Sequence, residues 1–425
     1  MTRLKLVVLL IPSFFFYSNS RSQSAWPSEN WEQATNLTLV MNQNGLNDLS
    51  GMHWNSLLNR LFMVQDNGKL RVLELNTGNN SFYQIANADI NGGPEDITQA
   101  DFSKQEFFVV DENNYQIGKY VYNADFSSVS EVNSWNLLNP PSTMANTGNS
   151  GPEGIAFVPD EFLTAIGFIS EQTGNLYVSA KGMGGLMFVA SQDFGLIWVF
   201  DLNPEVNDDF AFVGKYFTNK SESCDLEFDR STGLLYILHN MWKSNPDNNF
   251  LEVTDLNTTS VNVSDRKFVK LNEYYISNPS SNANIEGFAI TPKCSNNSNV
   301  SVWLCRDVDN AAPSEELKDC IRWFDPFTSD GNCDPNSVEK MKSNKYLNLK
   351  VFPNPAHNYL IISLEDTDFK NARALVYNYK NELVAQIENI NGQNYTLEIA
   401  GFKPGLYFIV LNQQGKKFRE IFVKE

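Results

Sequence analysis

One layout recurs five times between residues 50 and 307, and it limits the fold more than any other feature of the chain. A short apolar strand opens on Ser, Glu or Cys followed by a small or acidic residue. A turn and a second strand follow. The openings are Ser50-Gly-Met-His-Trp, Glu95-Asp-Ile-Thr, Glu153-Gly-Ile-Ala-Phe, Cys224-Asp-Leu-Glu-Phe and Glu286-Gly-Phe-Ala-Ile. The second strands are RLFMVQD ending at Asp66, EFFVVDE at Glu112, NLYVSAK at Lys181, LLYILHN at Asn240 and SVWLCRD at Asp307. Successive openings lie 45, 58, 71 and 62 residues apart, the spacing of four-stranded propeller blades with variable loops.

Third and fourth strands complete the units: KLRVLELN and SFYQIANA, YQIGKYVYN and SEVNSWNL, LIWVFDLN and FAFVGKYFT, FLEVTDLN and VNVSDRKFVKL. The fifth unit has CIRWFDP as its third strand and no fourth, while an orphan strand, Asn36-Leu-Thr-Leu-Val-Met, precedes the first unit. These two facts predict a ring closed by the N-terminal strand, which leaves no open edge. The count is five blades, with six the open alternative. The third unit carries an insertion near 161–172, a candidate flap. No segment sustains helical periodicity, which argues against an α/β enzyme.

Charge divides the chain. The formal net charge is −18, yet residues 347–425 hold nine Lys/Arg and eight Asp/Glu, so the negative excess lies upstream. An acidic chain of this kind excludes a nucleic-acid-binding surface. At the N-terminus, Arg3 and Lys5 precede the apolar run LVVLLIPSFFFY and small residues at Ser18, Ser20 and Ser22. That is the pattern of an export signal, cleaved after Ser22. No other run approaches membrane-spanning length, so no transmembrane segment is expected in the mature chain. The expected organisation is signal peptide 1–22, propeller 23–325, linker 326–346 and a second domain 347–425.

In a propeller the innermost strands converge on the axis, so the repeat openings face one another at one mouth. Glu95, Glu153 and Glu286 occupy one equivalent position, and Asp96 and Asp225 the next. Unneutralised, such carboxylates repel and raise one another's pKa. A hard cation with oxygen ligands relieves this, and calcium tolerates irregular geometry, so these five are the candidate metal ligands. The competing reading has each Glu accepting backbone N–H bonds from the next blade. The glycines that follow Glu153 and Glu286 fit a crowded axis. His53 and His239 are the candidate bases, and Lys181 and Arg306 the candidate contacts for an anionic ligand. No GxSxG elbow, HExxH, Walker loop or GxGxxG flanked by strand and helix is present. Of five Cys, Cys305 with Cys320 and Cys294 with Cys333 are expected to pair within the last blade, leaving Cys224 as a small buried residue.

Residues 347–425 alternate seven short strands with polar turns: LKVFPNP, NYLIISL, ARALVYNY, LVAQIENI, NYTLEIA, GLYFIVLN and FREIFVKE. This predicts a small Ig-like β-sandwich. It has no cluster of titratable groups.

Two resemblances follow from these motifs. GPEGIAFVPD (151–160), NIEGFAITP (284–292) and LSGMHWNSLLNRLFMVQDNGKL (49–70) resemble the SdiA-regulated and esterase-like-phytase group of secreted β-propellers. That resemblance covers about residues 36–325. It implies a propeller with a lined channel, often with bound calcium, and relatives that include phosphatase-like and lactonase-like enzymes. Val351-Phe-Pro353-Asn354-Pro355, Leu360-Ile-Ile, Gly405-Leu406-Tyr407-Phe-Ile-Val and the terminal Lys416-Lys417 with Phe422-Val-Lys424 resemble the type A sorting domain of the type IX secretion system. That implies a Bacteroidota-type cell, the type IX machinery as partner, and delivery to the cell surface or medium. The expected function is an exported propeller that binds a small ligand, glycan or protein, with calcium in its channel. The alternative is a calcium-dependent hydrolase of phosphate esters or lactones. A third reading is an interaction module that uses Trp and Tyr rims.

Overall fold

The computed structural model describes residues 24–41, 45–241, 248–259, 266–277, 284–292, 300–327, 349–364, 368–378, 383–413 and 416–425. The expected export signal, Cys294, Cys333 and most of the expected linker lie outside them.

Five antiparallel units follow one another as the repeat requires. The first is β3 (Leu49–Asn55), β4 (Arg60–Gln65), β5 (Lys69–Asn76) and β6 (Ser81–Asp89). The second is β7 (Pro94–Thr98), β8 (Glu106–Asp111), β9 (Gln116–Tyr122) and β10 (Val129–Asn136). The third is β11 (Pro152–Pro159), β12 (Gly185–Ser191), β13 (Leu196–Leu202) and β14 (Phe210–Phe217), and the fourth β15 (Asp225–Asp229), β16 (Leu234–Asn240), β17 (Asn248–Thr259) and β18 (Lys267–Ser277). These two units touch at their outer strands, where Phe217 pairs with Lys267. The fifth is β19 (Asn284–Ile290), β20 (Val302–Asp307) and β21 (Ile321–Phe324), completed by β2 (Thr35–Asn36). The inner strands β3, β7, β11, β15 and β19 are neighbours in turn round a ring, with β19 against β3. Among the described residues the ring therefore has five blades, closed by the N-terminal segment.

Local chemistry explains the units. Every residue of β3 and β15 is buried, since an inner strand has a blade on either side, and polar residues return on the outer strands. The β4–β5 hairpin turns through Asn67-Gly68, where Gly68 takes φ +78° and its N–H donates to Gln65 O at 2.9 Å. Stacked indoles of Trp54 and Trp303, 4.7 Å apart, seal the joint between the first and last blades.

Four expectations are corrected. The orphan strand reduces to Thr35–Asn36, and α1 (Thr38–Met41) is a single helical turn whose Thr38 Oγ1 accepts the N–H groups of Cys320 and Ile321 at 2.9 and 3.1 Å. NLYVSAK is not a strand of the third blade. The fully buried, mostly apolar GLMFVAS of β12 takes the second position, and Asp201 holds the displaced segment through Tyr177 Oη and the Ala180 N–H. In the fourth blade the outer strand is Lys267–Ser277, further along than the sequence suggests. The insertion is no flap: α2 (Asp160–Ile166) buries Leu163, Phe168 is 2% exposed, and Ser170 Oγ donates to Val213 O at 2.7 Å.

The N-terminal segment does more than add two residues to a sheet. β1 (Ser24–Ala25) pairs in parallel with β18, while Trp31 donates to Asp319 Oδ2 at 3.0 Å and packs on Phe324. It thus joins the fourth and fifth blades. Trp31→Ala should cost about 3–5 kcal/mol of stability, read as a cooperative loss in denaturant melts. An unchanged midpoint would mean the ring closes without this segment.

Residues 349–425 form two facing sheets. One is β22 (Leu349–Phe352), β23 (Tyr359–Leu364) and β26 (Asn394–Glu398); the other orders β25 (Leu383–Gly392), β24 (Phe369–Asn378), β27 (Gly405–Gln413) and β28 (Lys416–Lys424). All seven expected strands are present. Their shared core includes Leu360, Ile362, Val376 and Phe422 and draws no residue from the propeller. No helix among the described residues is long and apolar enough to cross a membrane.

Candidate functional site

The repeat openings carry a backbone irregularity that the sequence does not reveal. The register slips at Ser50, Glu95 and Glu286, and across Glu153-Gly154, so each of these residues stands as a bulge opposite the second strand. A bulge bends its strand and re-aims the side chain. Here it directs Glu95, Glu153 and Glu286 toward one another at one mouth of the ring. The Ser50 hydroxyl donates to Glu95.

The second strands bring further carboxylates to the same place. Glu95 faces Asp66, Glu112 and Asp307; Glu153 faces Glu95, Glu112 and Glu286; Glu286 faces Asp307, Glu95 and Asp66. Burial first, then these neighbouring charges, push Glu95, Glu153 and Glu286 well above the usual carboxylate range; burial, then Asp48, Asp66 and Asp309, pushes Asp307 up to about 6. Asn284 Nδ2 donates to Glu286 Oε1 at 2.6 Å and to Asp307 Oδ2 at 3.3 Å. Asn240, 2% exposed, donates to Asn284, and its own Oδ1 meets no donor among the described residues. Asp66, Glu112, Asp307, Asn240 and Asn284 were legible only as polar ends of strands. Asp66, Glu112, Asn240 and Asp307 share a position that marks them in retrospect.

Asp96 and Asp225 do a different job. Asp96 Oδ2 accepts the Ile155 N–H of the next blade at 2.6 Å and its Oδ1 the Ile97 N–H at 2.7 Å; Asp225 Oδ2 accepts the Phe288 N–H of the fifth blade at 2.7 Å. The brace expected of the glutamates is thus made by the aspartates. Close approach explains the glycines beside them: a Cβ at Gly154 would stand 2.7 Å from Asp225 Cα, and one at Gly51 2.3 Å from Asp96 Oδ1.

Below this layer His53 Nδ1 meets Glu227 Oε2 at 3.1 Å, with both side chains buried. Burial, then Arg230, brings His53 down to about 3. Arg230 reaches across to donate to Gln99 O and Ala100 O and lies 4.1 Å over the Phe102 ring. His239 is fully buried. Its Nδ1 is 2.8 Å from Glu222 O and 3.1 Å from Ser223 Oγ, and its Nε2 is 3.2 Å from Glu252 Oε2. The order Ser–His–Glu resembles a nucleophile relay, but Ser223, His239 and Glu252 are all 0% exposed and the Ser223 hydroxyl also donates to Gly195 O. It is an internal staple.

The remaining candidates fall away from the mouth. Lys181 pairs with Asp209, and Arg306, 3% exposed, reaches Glu316 on α3 (Ser314–Leu317) at 3.2 Å. Cys224, Cys305 and Cys320 are buried free thiols. The ladder sets Cys305 opposite Ile321, one step from Cys320, and the two sulfurs meet different carbonyls: Cys305 lies 3.8 Å from Ser50 O, and Cys320 2.7 Å from Leu46 O. The expected Cys305–Cys320 bridge is therefore absent, and the Cys294–Cys333 pairing falls outside the described residues.

Residues 350–425 match the family model described as the secretion system C-terminal sorting domain. The C-terminal sandwich is a sorting domain. It directs the chain across the outer membrane to the cell surface or medium and implies contact with the type IX machinery. Residues 28–181, which span the first two blades and enter the third, match the SdiA-regulated model. No curated protein matches. Similar solved structures include the hydrazine synthase of Kuenenia stuttgartiensis (10% identity, TM-score 0.33, 70% of this chain and 61% of that one) and a putative 6-phosphogluconolactonase from Bacteroides uniformis (10%, 0.30, 81% and 87%). A Lactobacillus plantarum protein is a third (8%, 0.31, 82% and 88%). The chain thus spans about three fifths of the hydrazine synthase chain. At these scores the likenesses carry no argument about activity.

Proposed function

We propose that this exported propeller binds a cationic ligand at its carboxylate mouth, with calcium the ion to test first. The observation that supports it is the gathering of Glu95, Glu153, Glu286, Asp66, Glu112 and Asp307 from four blades, with carboxylates as the charges beside them. The donors are all oxygen, which suits a hard cation, and Asn240 adds a buried oxygen that meets no donor among the described residues. Among the described residues, no three His, Cys, Asp or Glu side chains stand as a finished metal cage. The mouth is therefore read as an acidic funnel that takes a cation by charge, and the carboxylates would have to draw inward to coordinate it. The hydrolase reading lacks support from the site, since the nearest thing to a nucleophile and base is the sealed Ser223–His239–Glu252 staple.

The test is thermal melting of the mature protein in chelator and in millimolar calcium. Binding to the folded state alone adds about 2.7 kcal/mol at one hundred times the dissociation constant. The melting point should rise in calcium, and Glu153→Gln should shrink the rise without unfolding the protein. Equal melting points in chelator and calcium, with no heat on calcium titration, would sink the calcium reading.

A further inference from the structure

The sorting match runs from residue 350 to residue 425, and the fold ties its two ends together. The Ala356 N–H donates to Val423 O at 2.8 Å, and the Glu425 N–H donates back to Ala356 O at 3.0 Å. The Val423 N–H donates to Asn354 Oδ1 at 2.9 Å. One turn, Pro353-Asn354-Pro355-Ala356, thus clasps the last strand across some seventy residues of chain. On its inner side Ala356, Leu360 and Phe422 are 0% exposed. On its outer side Phe352 is 43% exposed and Val423 38%, with Pro353, Asn354 and Pro355 exposed between them. His357 Nε2 stands 3.2 Å from the Glu425 side chain at the margin.

A cluster of large apolar side chains left in water beside a well-filled core marks a contact surface. Proline has no N–H to offer, so a partner meets the turn by side-chain packing and not by adding a strand to it.

We propose that the type IX machinery engages this domain on the outer face of the clasp, Phe352, Pro355 and Val423 around the Asn354 cap, and reads it as a folded composite. The occupant is the sorting apparatus because sorting is this domain's assigned role and the two ends of the matched stretch meet at this face. Two segments so far apart in sequence become one surface only after the sandwich has formed. Recognition would then select folded domains.

The test uses the full chain expressed in a cell with this machinery, scoring surface delivery by protease access to intact cells against periplasmic retention. Phe352→Ser and Val423→Thr are each compared with Leu360→Ala, a core change that sets how delivery falls as stability falls. The expected result is a drop of tenfold or more for the clasp variants, well below the delivery that Leu360→Ala shows at equal melting temperature. Clasp variants lying on that stability line overturn the proposal, as does wild-type delivery. A carrier ending in residues 416–425 alone should stay in the periplasm while one ending in 349–425 is delivered; delivery by the short peptide overturns the composite reading. Dimerisation of the purified chain that Val423→Thr abolishes would assign the face to a second copy instead.

Discussion

Deletion of residues 347–425 is expected to abolish delivery across the outer membrane and leave the propeller folded. The two parts have separate cores: the apolar cluster of the sorting domain contains no propeller residue, and the propeller clusters contain none of its strands. Ring closure is completed by β2 and β21, upstream of the deletion. The truncated chain should therefore melt as the propeller does in the full-length protein while accumulating in the periplasm. Surface or medium fractions equal to those of the full chain would defeat the sorting role. A truncated chain that fails to fold would show that the two parts share stability after all.

Lowering the pH from 7.5 to 5.5 in chelator is expected to stabilise the propeller. Glu95, Glu153, Glu286, Asp96 and Asp225 are held well above the usual carboxylate range by burial and by one another, and Asp307 lies at about 6. For a carboxyl raised in the folded state, the native protein binds protons that the unfolded chain has released. Its stability contribution is complete below the unfolded value near 4 and is lost as pH rises through the folded value. Each such proton is worth about 1.4 kcal/mol per pH unit. His53 opposes this. It stays neutral in the fold down to about 3, so the unfolded chain gains a proton below about 6.5 and stability falls by roughly 1.4 kcal/mol at pH 5.5. Several carboxylates outweigh one histidine until the pH nears the unfolded carboxylate value of about 4. The melting point should rise by several degrees toward pH 5.5 and turn over below it. Glu153→Gln removes one of the crowded charges, so it should stabilise the cation-free protein at pH 7.5 and flatten the profile by about one proton. A flat profile, or one falling steadily from pH 7.5, would mean that the mouth carboxylates are not held together.

Much of this architecture was written along the chain because a propeller is a local fold. Each blade is a meander whose strands are neighbours in sequence, so KLRVLELN and LLYILHN could be read as β5 and β16 to the residue. The seven strands of the sorting domain were legible for the same reason. What misled was competition between segments of equal promise. NLYVSAK has a good strand pattern, but GLMFVAS carries no charge, is mostly apolar and can fill a place buried on both faces. The orphan N-terminal strand has only room for two paired residues before Thr38 turns to cap β21.

The sequence by itself determined which residue types stand at the head of each inner strand, and hence that carboxylates meet at one mouth. Only the tertiary structure decided what each carboxylate does there. Glu95, Glu153 and Glu286 sit on bulges and point at one another, whereas Asp96 and Asp225, one residue further along the same motif, turn to the backbone of another blade and brace the ring. A single-residue slip in register sends a side chain to the opposite face of a strand. That slip is set by how closely two backbones approach, as Gly154 against Asp225 shows, and neighbours brought together from different blades are invisible to any local pattern.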